Sequence, residues 1–197
     1  MAEGRGMKRR DVLLSIIAAG ISRPEFGRTS LQKVAYFVGV HRNAEFQHQA
    51  HFYGPFSEVV EADVEALVAA GLIEERVQNL PFVGARGQQG KRFEYRLTDE
   101  GEKRLQELKA VHPSESEDIE AFVRRLEQAA GGLDQGILSP AAKTYFIASR
   151  ESRPLTLPAI EELARGLGWD LQPPQVKKVA KVLQQLNLVQ VGPRQRS

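Results

Sequence analysis

The sequence predicts a mainly α-helical fold with small β-hairpins, an α+β class, arranged as two consecutive domains. Most apolar residues recur at the three- and four-residue spacing of amphipathic helices. Residues 93–97 alternate apolar and polar side chains as a strand does, and residues 72–77 can pair with them across a glycine-rich segment. The same order, three helices followed by a strand, occurs again after residue 136.

Residues 1–112 form the first predicted domain. Val12, Leu13, Ile16 and Ile17 fall on one face of its first helix, and Ser57 and Gly71 are typical start and stop residues for its third. The patterns predict helices over 8–21, 31–39 and 57–70, a hairpin over 72–97, and a closing helix that runs from 98 to about 110. Three helices, a two-stranded hairpin and a closing helix make a winged helix-turn-helix, with the hairpin as the wing.

A polar, acidic segment over 113–118 marks the predicted domain boundary. It has the composition of a linker or of a capped helix start, and an amphipathic connecting helix over 119–130 follows it, so residues 113–135 are expected to join the two domains.

The second domain is expected over 136–197 and is again winged-helix-like. Ser139 and Pro140 predict the cap and first residue of one helix, Thr156 caps the next, and Pro173 starts a third. Residues 188–191 can form a strand after it. The complete fold is therefore predicted as two tandem winged-helix-like domains joined by a helical linker.

The net charge of the 197-residue chain is only +2, but its distribution is uneven. Residues 136–197 carry 9 basic and 4 acidic residues, whereas residues 1–112 carry 16 and 15. Such a local excess of positive charge is typical of a nucleic-acid-binding surface. The absence of cysteine excludes disulfides and thiolate zinc sites and fits a reducing cytoplasm. The basic start lacks a signal-peptide pattern, and no tract is apolar over a bilayer length. We therefore expect a cytoplasmic protein with no membrane partner.

Three segments resemble a known family over about residues 8–110. These are TSLQKVAYF at 29–37, YGPFS at 53–57 and YRLTDEG at 95–101, which resemble the bacterial YwgA-like and Panacea (SocA-type antitoxin) proteins. The ending at 97–101 also resembles winged-helix regulators of the MarR and PadR kind. The resemblance implies a winged-helix fold, and it leaves transcription regulation, antitoxin activity and other roles open because a shared fold does not fix an activity.

The predicted helix over 175–186 is the most informative candidate surface. Its polar residues fall on the side opposite its apolar ones, where lysines can contact phosphates and glutamines can read adenine edges in a major groove. An ordinary solvated basic face is the alternative. The candidate nucleic-acid-binding residues of this helix are Lys177, Lys178, Lys181, Gln184 and Gln185.

The corresponding third helix of the first domain exposes Glu58, Glu61 and Glu65, which phosphates would repel, so we do not expect it to read a groove. Better candidates are basic and amide residues of the second helix and of the wing, whose glycines allow it to follow a backbone or enter a minor groove. An ordinary hairpin loop is the alternative. The candidates are Arg28, Gln32, Lys33, Arg86, Lys91 and Arg92.

The other chemistry-bearing residues predict neither a metal site nor catalysis. His48 and His51 have a spacing compatible with metal binding, but no cysteine or shared helical face supplies further ligands, so we expect no metal and no cofactor. No phosphate loop, nucleophile elbow or set of metal ligands is recognisable in the sequence, so we expect a protein without catalytic activity.

We expect a regulator that binds double-stranded DNA. We also expect a homodimer that pairs through residues 119–130 or 100–110, because helix-turn-helix proteins commonly bind paired half-sites. The alternative is an adaptor or antitoxin-like protein that presents the acidic helix over 57–70 to a protein partner. RNA binding through the basic surface is a third hypothesis.

Overall fold

The computed structural model describes residues 6–23, 26–43, 46–83 and 89–189, which form a mainly helical protein with one small antiparallel sheet. The elements in chain order are α1 (Arg9–Gly20), α2 (Arg28–Arg42), α3 (Glu58–Ala69), β1 (Ile73–Val83), β2 (Gln89–Leu97), α4 (Asp99–Val111), α5 (Pro113–Ala130), α6 (Gln135–Ala148), α7 (Leu157–Gly166) and α8 (Pro173–Gln185). In the part of the chain that is described, no helix combines the length and the apolar character needed to cross a bilayer.

The first six elements, α1 to α4 with the two strands, follow the predicted order. The Ser57 hydroxyl accepts a hydrogen bond from the Val60 N–H at 3.0 Å and starts α3, and the Thr98 hydroxyl accepts one from the Gly101 N–H at 3.0 Å and starts α4. Each hydroxyl satisfies an N–H that has no partner inside its own helix. The starts of α3 and α4 are therefore confirmed.

The hairpin lies directly after α3, where the wing was predicted. The strands pair antiparallel from Ile73 opposite Leu97 to Asn79 opposite Lys91, with an irregular register before Val83 opposite Gln89. The first strand is longer than the alternation over 72–77 predicted, because backbone pairing continues beyond the apolar residues. Arg28 ties the hairpin to the helices, since its guanidinium lies 3.9 Å from the Phe93 ring centroid.

An ion-pair cluster joins α3 to α1. The Asp63 carboxylate is 1% exposed and accepts hydrogen bonds from Arg9 Nε at 2.5 Å and Arg10 Nε at 2.9 Å. Burial opposes ionisation of this carboxyl, but the two guanidinium groups outweigh it and lower the pKa of Asp63. The charge thus remains inside the fold as an anchor between the two helices.

The acidic segment over 113–118 is the beginning of α5, so of its two predicted alternatives the helix start is confirmed and the linker is wrong. Only His112 separates α4 from α5, and Pro113 occupies the first helical turn, where a missing N–H costs nothing. Glu115 and Asp118 both pair with Arg42 at the end of α2, and Asp118 also lies 2.8 Å from His41 Nε2. The acidic residues at the start of α5 therefore bind the C-terminal end of a neighbouring helix.

Helix α5 packs one face into the core and is not an exposed connection between two domains. Its buried residues Ile119, Phe122, Val123 and Leu126 face α1, α2 and α8, while α6 packs on α2. Buried apolar side chains from Val12 to Leu186 form one continuous cluster. The predicted boundary at 112–113 therefore does not separate two hydrophobic cores, and the apolar face over 119–130 that we expected to pair two subunits is already covered.

The second half contains three helices, with two corrections to the sequence-based prediction. Helix α6 begins at Gln135 after Asp134, whose carboxylate accepts the Gly136 N–H at 2.6 Å, so Pro140 lies inside the helix and not at its start. The starts of α7 after Thr156 and of α8 at Pro173 are confirmed. Residues 188 and 189 are not in a strand, and 190–191 lie outside the described residues.

Candidate nucleic-acid interface

Helix α8 is oriented by a buried apolar stripe. Val176, Val179, Val182 and Leu183 face the core, and α8 packs on α5, α6 and α7. At its start, the Gln172 N–H donates to the Gln175 side-chain oxygen at 3.1 Å, and the Gln175 N–H donates to the Gln172 carbonyl at 2.9 Å. This capping arrangement satisfies free N–H groups and fixes the register of the helix.

The opposite face of α8 carries the predicted lysines. Lys177, Lys178, Lys181 and Gln185 are exposed and Gln184 is half-buried. Among the described residues, no carboxylate oxygen lies within 4 Å of any of the three lysine ammonium groups. The prediction that these side chains share an exposed face is confirmed, and α8 presents a row of uncompensated positive charge.

Arg28 is engaged within the protein. Its guanidinium lies 3.1 Å from Glu61 on α3 and 3.2 Å from Glu75 on β1. Burial disfavours the charged form, but Glu75 and the Tyr95 hydroxyl favour it, and the pKa of Arg28 is raised. Two carboxylates thus balance the charge that was predicted to meet a phosphate.

Gln32 and Lys33 are a correction, because both are buried and hydrogen-bonded. The Gln32 amide donates to the Ser57 carbonyl at 2.9 Å and accepts the Ser57 N–H at 3.0 Å. Lys33 is 1% exposed and donates to the Pro55 carbonyl at 2.7 Å. Burial, reinforced by the nearby Lys143 ammonium, lowers the pKa of Lys33 to about 8. These residues hold the turn before α3 and are not accessible to a nucleic acid.

The β1–β2 hairpin retains accessible basic side chains. Lys91 and Arg92 are exposed on β2, and Arg92 Nε lies 3.6 Å from Glu94. Arg86 lies outside the described residues. On α3, Glu58 and Glu65 are exposed and Glu61 is paired with Arg28, which leaves an acidic surface on that helix as the sequence indicated.

The histidines take part in local packing. The His41 ring stacks on Phe122 at 4.3 Å between centroids, and a His48 ring nitrogen lies 3.1 Å from the Gln32 carbonyl. Burial lowers the pKa of His48 to about 4, which favours the neutral ring. Within the described ranges, no three His, Cys, Asp or Glu side chains are grouped so that they could hold a metal.

One feature of the site was missed by the sequence-based reasoning. Trp169, in the turn before α8, donates from Nε1 to the His51 carbonyl at 2.6 Å and so joins the second half to the turn that precedes α3. The aromatic residues at 53–56 were visible in the sequence, but only as part of the segment that resembles the YwgA-like and Panacea proteins. Trp169 and His51 lie 118 residues apart along the chain, and no local pattern indicates that contact.

No protein-family model matches the chain, and no curated protein matches its sequence. The resemblance to the YwgA-like and Panacea proteins therefore stays a prediction.

Proposed function

We propose that this protein is a non-catalytic, double-stranded DNA-binding regulator that uses the exposed face of α8. The observation that carries the proposal is the set of three exposed lysines on one helix face, with no carboxylate within 4 Å among the described residues. Unpaired ammonium groups keep their full attraction for phosphates, whereas a basic residue already held in ion pairs, such as Arg28, has to lose them first.

The residue types on α8 suit a groove-binding helix. Lys177, Lys178 and Lys181 can contact the two phosphate backbones, and the Gln184 and Gln185 amides can pair with adenine edges. Lys91 and Arg92 on the hairpin can add phosphate contacts. A homodimer would place two such helices on paired half-sites. Because α5 is covered, α4 is the better candidate for pairing, and its last residue Val111 is exposed.

The test is a titration of the folded protein with random-sequence duplex DNA and with its own upstream DNA over a salt series. The variant changes Lys177, Lys178 and Lys181 to Ala. A control variant changes Lys8, Arg125 and Arg153 to Ala, which removes the same charge from exposed positions outside α4, α8 and the hairpin.

We expect the wild type and the control to bind with a steep salt dependence. Each lost phosphate contact should reduce the slope of log K against log salt by about 1, so the α8 variant should lose roughly 3 units of slope. Equal loss in both variants would show that α8 has no special role. No binding by the folded wild type at low salt would refute DNA binding.

A second candidate function is presentation of α3 to a protein partner, as an adaptor or antitoxin-like module would do. The specific observation is that Glu58, Glu65 and Val68 are exposed on α3, although the helix occupies the place of a groove reader in the first half. Changing Glu58 and Glu65 to Gln would weaken such an interface, whereas it would leave DNA binding by α8 unchanged or tighter because fewer carboxylates would repel the phosphates.

A further inference from the structure

The turn before α3 exposes two aromatic rings. Phe52 is 49% exposed and Tyr53 is 58% exposed, and they are the only aromatic residues among the large exposed apolar side chains of the described residues. Their rings contact edge to face, with centroids 4.9 Å apart and an interplanar angle of 87°. Aromatic side chains on a protein surface are enriched where a partner covers them.

Hydrogen bonds on both sides hold this turn in place. Lys33 binds the Pro55 carbonyl from beneath, and the backbones of Gln49 and Phe56 pair with each other as an isolated bridge. Trp169 binds the His51 carbonyl from the second half. The exposed rings therefore stand on a fixed support, and ordering them on binding costs little conformational entropy.

A lysine with no close carboxylate lies against the same turn. A Cβ built on Gly54 would lie 3.1 Å from Lys143 Cγ, and Lys143 Nζ lies 5.7 Å from the centroid of the Trp169 ring. Burial lowers the pKa of Lys143, although Asp170 acts in the opposite direction. Neither Lys33 nor Lys143 has a carboxylate within 4 Å in the described part of the chain. An anion bound at Lys143 would offset the repulsion between the Lys33 and Lys143 ammonium groups.

This aromatic and basic patch adjoins the α8 region. Trp169 belongs to the short connection between α7 and α8, only four residues before α8 begins at Pro173. The hydrogen bond from Trp169 to His51 links the turn that carries the exposed rings to the connection leading into α8, the helix of Lys177, Lys178 and Lys181. One nucleic acid could therefore contact both surfaces.

We propose that Phe52, Tyr53 and Lys143 bind an unpaired nucleotide that flanks the duplex held by α8, with the base stacked on the rings and its phosphate at Lys143. The inference rests on the proposed function and narrows the ligand to DNA with a single-stranded flank. Aromatic rings beside a cation favour unpaired bases because every base presents a π-face, whereas paired bases are already stacked. A protein segment could also cover the rings, and the experiment separates the two occupants.

The experiment compares three fluorescent DNA probes: a blunt duplex, the same duplex with a short oligothymidine overhang, and the oligothymidine alone. The variants are Phe52→Ala with Tyr53→Ala, Lys143→Gln, and the ring-preserving control Tyr53→Phe. Trp169 is the only tryptophan in the chain, so its fluorescence reports directly on the connection beside the patch. Circular dichroism establishes that each variant is folded.

We expect the wild type to bind the overhang probe about tenfold more tightly than the blunt duplex, within the roughly 5- to 150-fold range of base stacking on aromatic side chains. The double alanine variant should lose this preference while it keeps its affinity for the blunt duplex. Tyr53→Phe should retain the preference, and Lys143→Gln should lose part of it. Trp169 fluorescence should change with the overhang probe more than with the blunt one.

Equal affinity of the wild type for blunt and overhang probes would overturn the inference and leave DNA binding by α8 standing. An equal loss of affinity for the blunt and the overhang probe in the double alanine variant would also overturn the inference, because the rings would then not bind the unpaired base. Equal binding of the oligothymidine alone and of the overhang probe, lost in the double alanine variant, together with no binding of the blunt duplex, would support the patch and refute the proposed function.

Discussion

Leu13→Ala tests whether the two halves of the chain unfold as one unit. Leu13 lies in α1 and is 0% exposed, and α1 packs on α5, which in turn packs on α8. Removing a fully buried leucine side chain leaves a cavity and costs about 2–5 kcal/mol of unfolding free energy. With a urea dependence of about 1–3 kcal/mol per M, a cost near the middle of that range lowers the midpoint by roughly 1–3 M.

The assay follows urea unfolding with two probes that report on different parts of the molecule. Far-UV circular dichroism follows all helices, whereas the fluorescence of Trp169 follows the surroundings of one residue in the second half, at its hydrogen bond to His51 in the first. Because the buried cluster is continuous across both halves, both probes should give one coincident transition, and Leu13→Ala should shift them equally. Val111→Ala, at a residue 70% exposed, should change the free energy by no more than about 0.5 kcal/mol. An unchanged Trp169 midpoint beside a biphasic dichroism curve would refute a single cooperative core.

Two further predictions concern stability. Burial lowers the pKa of Lys33 to about 8 in the folded protein, from an ordinary value of 10.5. Between pH 8 and 10.5 the Lys33 amine is therefore protonated more often in the unfolded chain than in the folded protein. The free energy of unfolding should therefore rise between pH 8 and 10.5 more for the wild type than for Lys33→Met, as measured by urea titration; parallel pH curves would contradict the burial of the charge. Gly101→Ala would place a Cβ 1.9 Å from the Leu72 carbonyl oxygen and should cost more than about 2 kcal/mol. A Cβ built on Gly166 would meet no neighbouring atom within 4 Å, so Gly166→Ala should stabilise α7 by up to about 1 kcal/mol. Similar melting temperatures for the Gly101→Ala and Gly166→Ala variants would contradict both expectations.

The helix starts that depended on local chemistry were predictable from the sequence. Ser57, Thr98 and Thr156 each cap a helix as expected, because a hydroxyl bonds to an N–H only two or three residues further along the chain. The same local logic was wrong at Ser139 and Pro140. Asp134 is an equally good cap that comes earlier, and burial of Leu138 favours the longer helix despite the proline within it.

The exposure of the candidate binding residues was predictable only where it depended on the apolar and polar faces of a single helix. Lys177, Lys178 and Lys181 are exposed because the apolar residues between them fix the inner side of α8, and the helical period places the lysines opposite. Gln32 and Lys33 lie on α2, whose residues are buried on almost every side, because the turn at 54–57 folds over one face and α6 packs against α2. Sequence spacing within α2 contains no information about either neighbour.

The sequence by itself determined the order and type of nearly all elements and the basic face of α8, since periodicity, caps and charge act over a few residues. Only the tertiary structure decided that α5 belongs to the core, that Arg28, Gln32 and Lys33 bind inside the protein, and that Trp169 joins the aromatic turn to α8. These outcomes depend on contacts between residues far apart in the chain. Whether a side chain is buried, and whether its charge has a partner, depends on which helices pack against it, and so only the tertiary structure decides both.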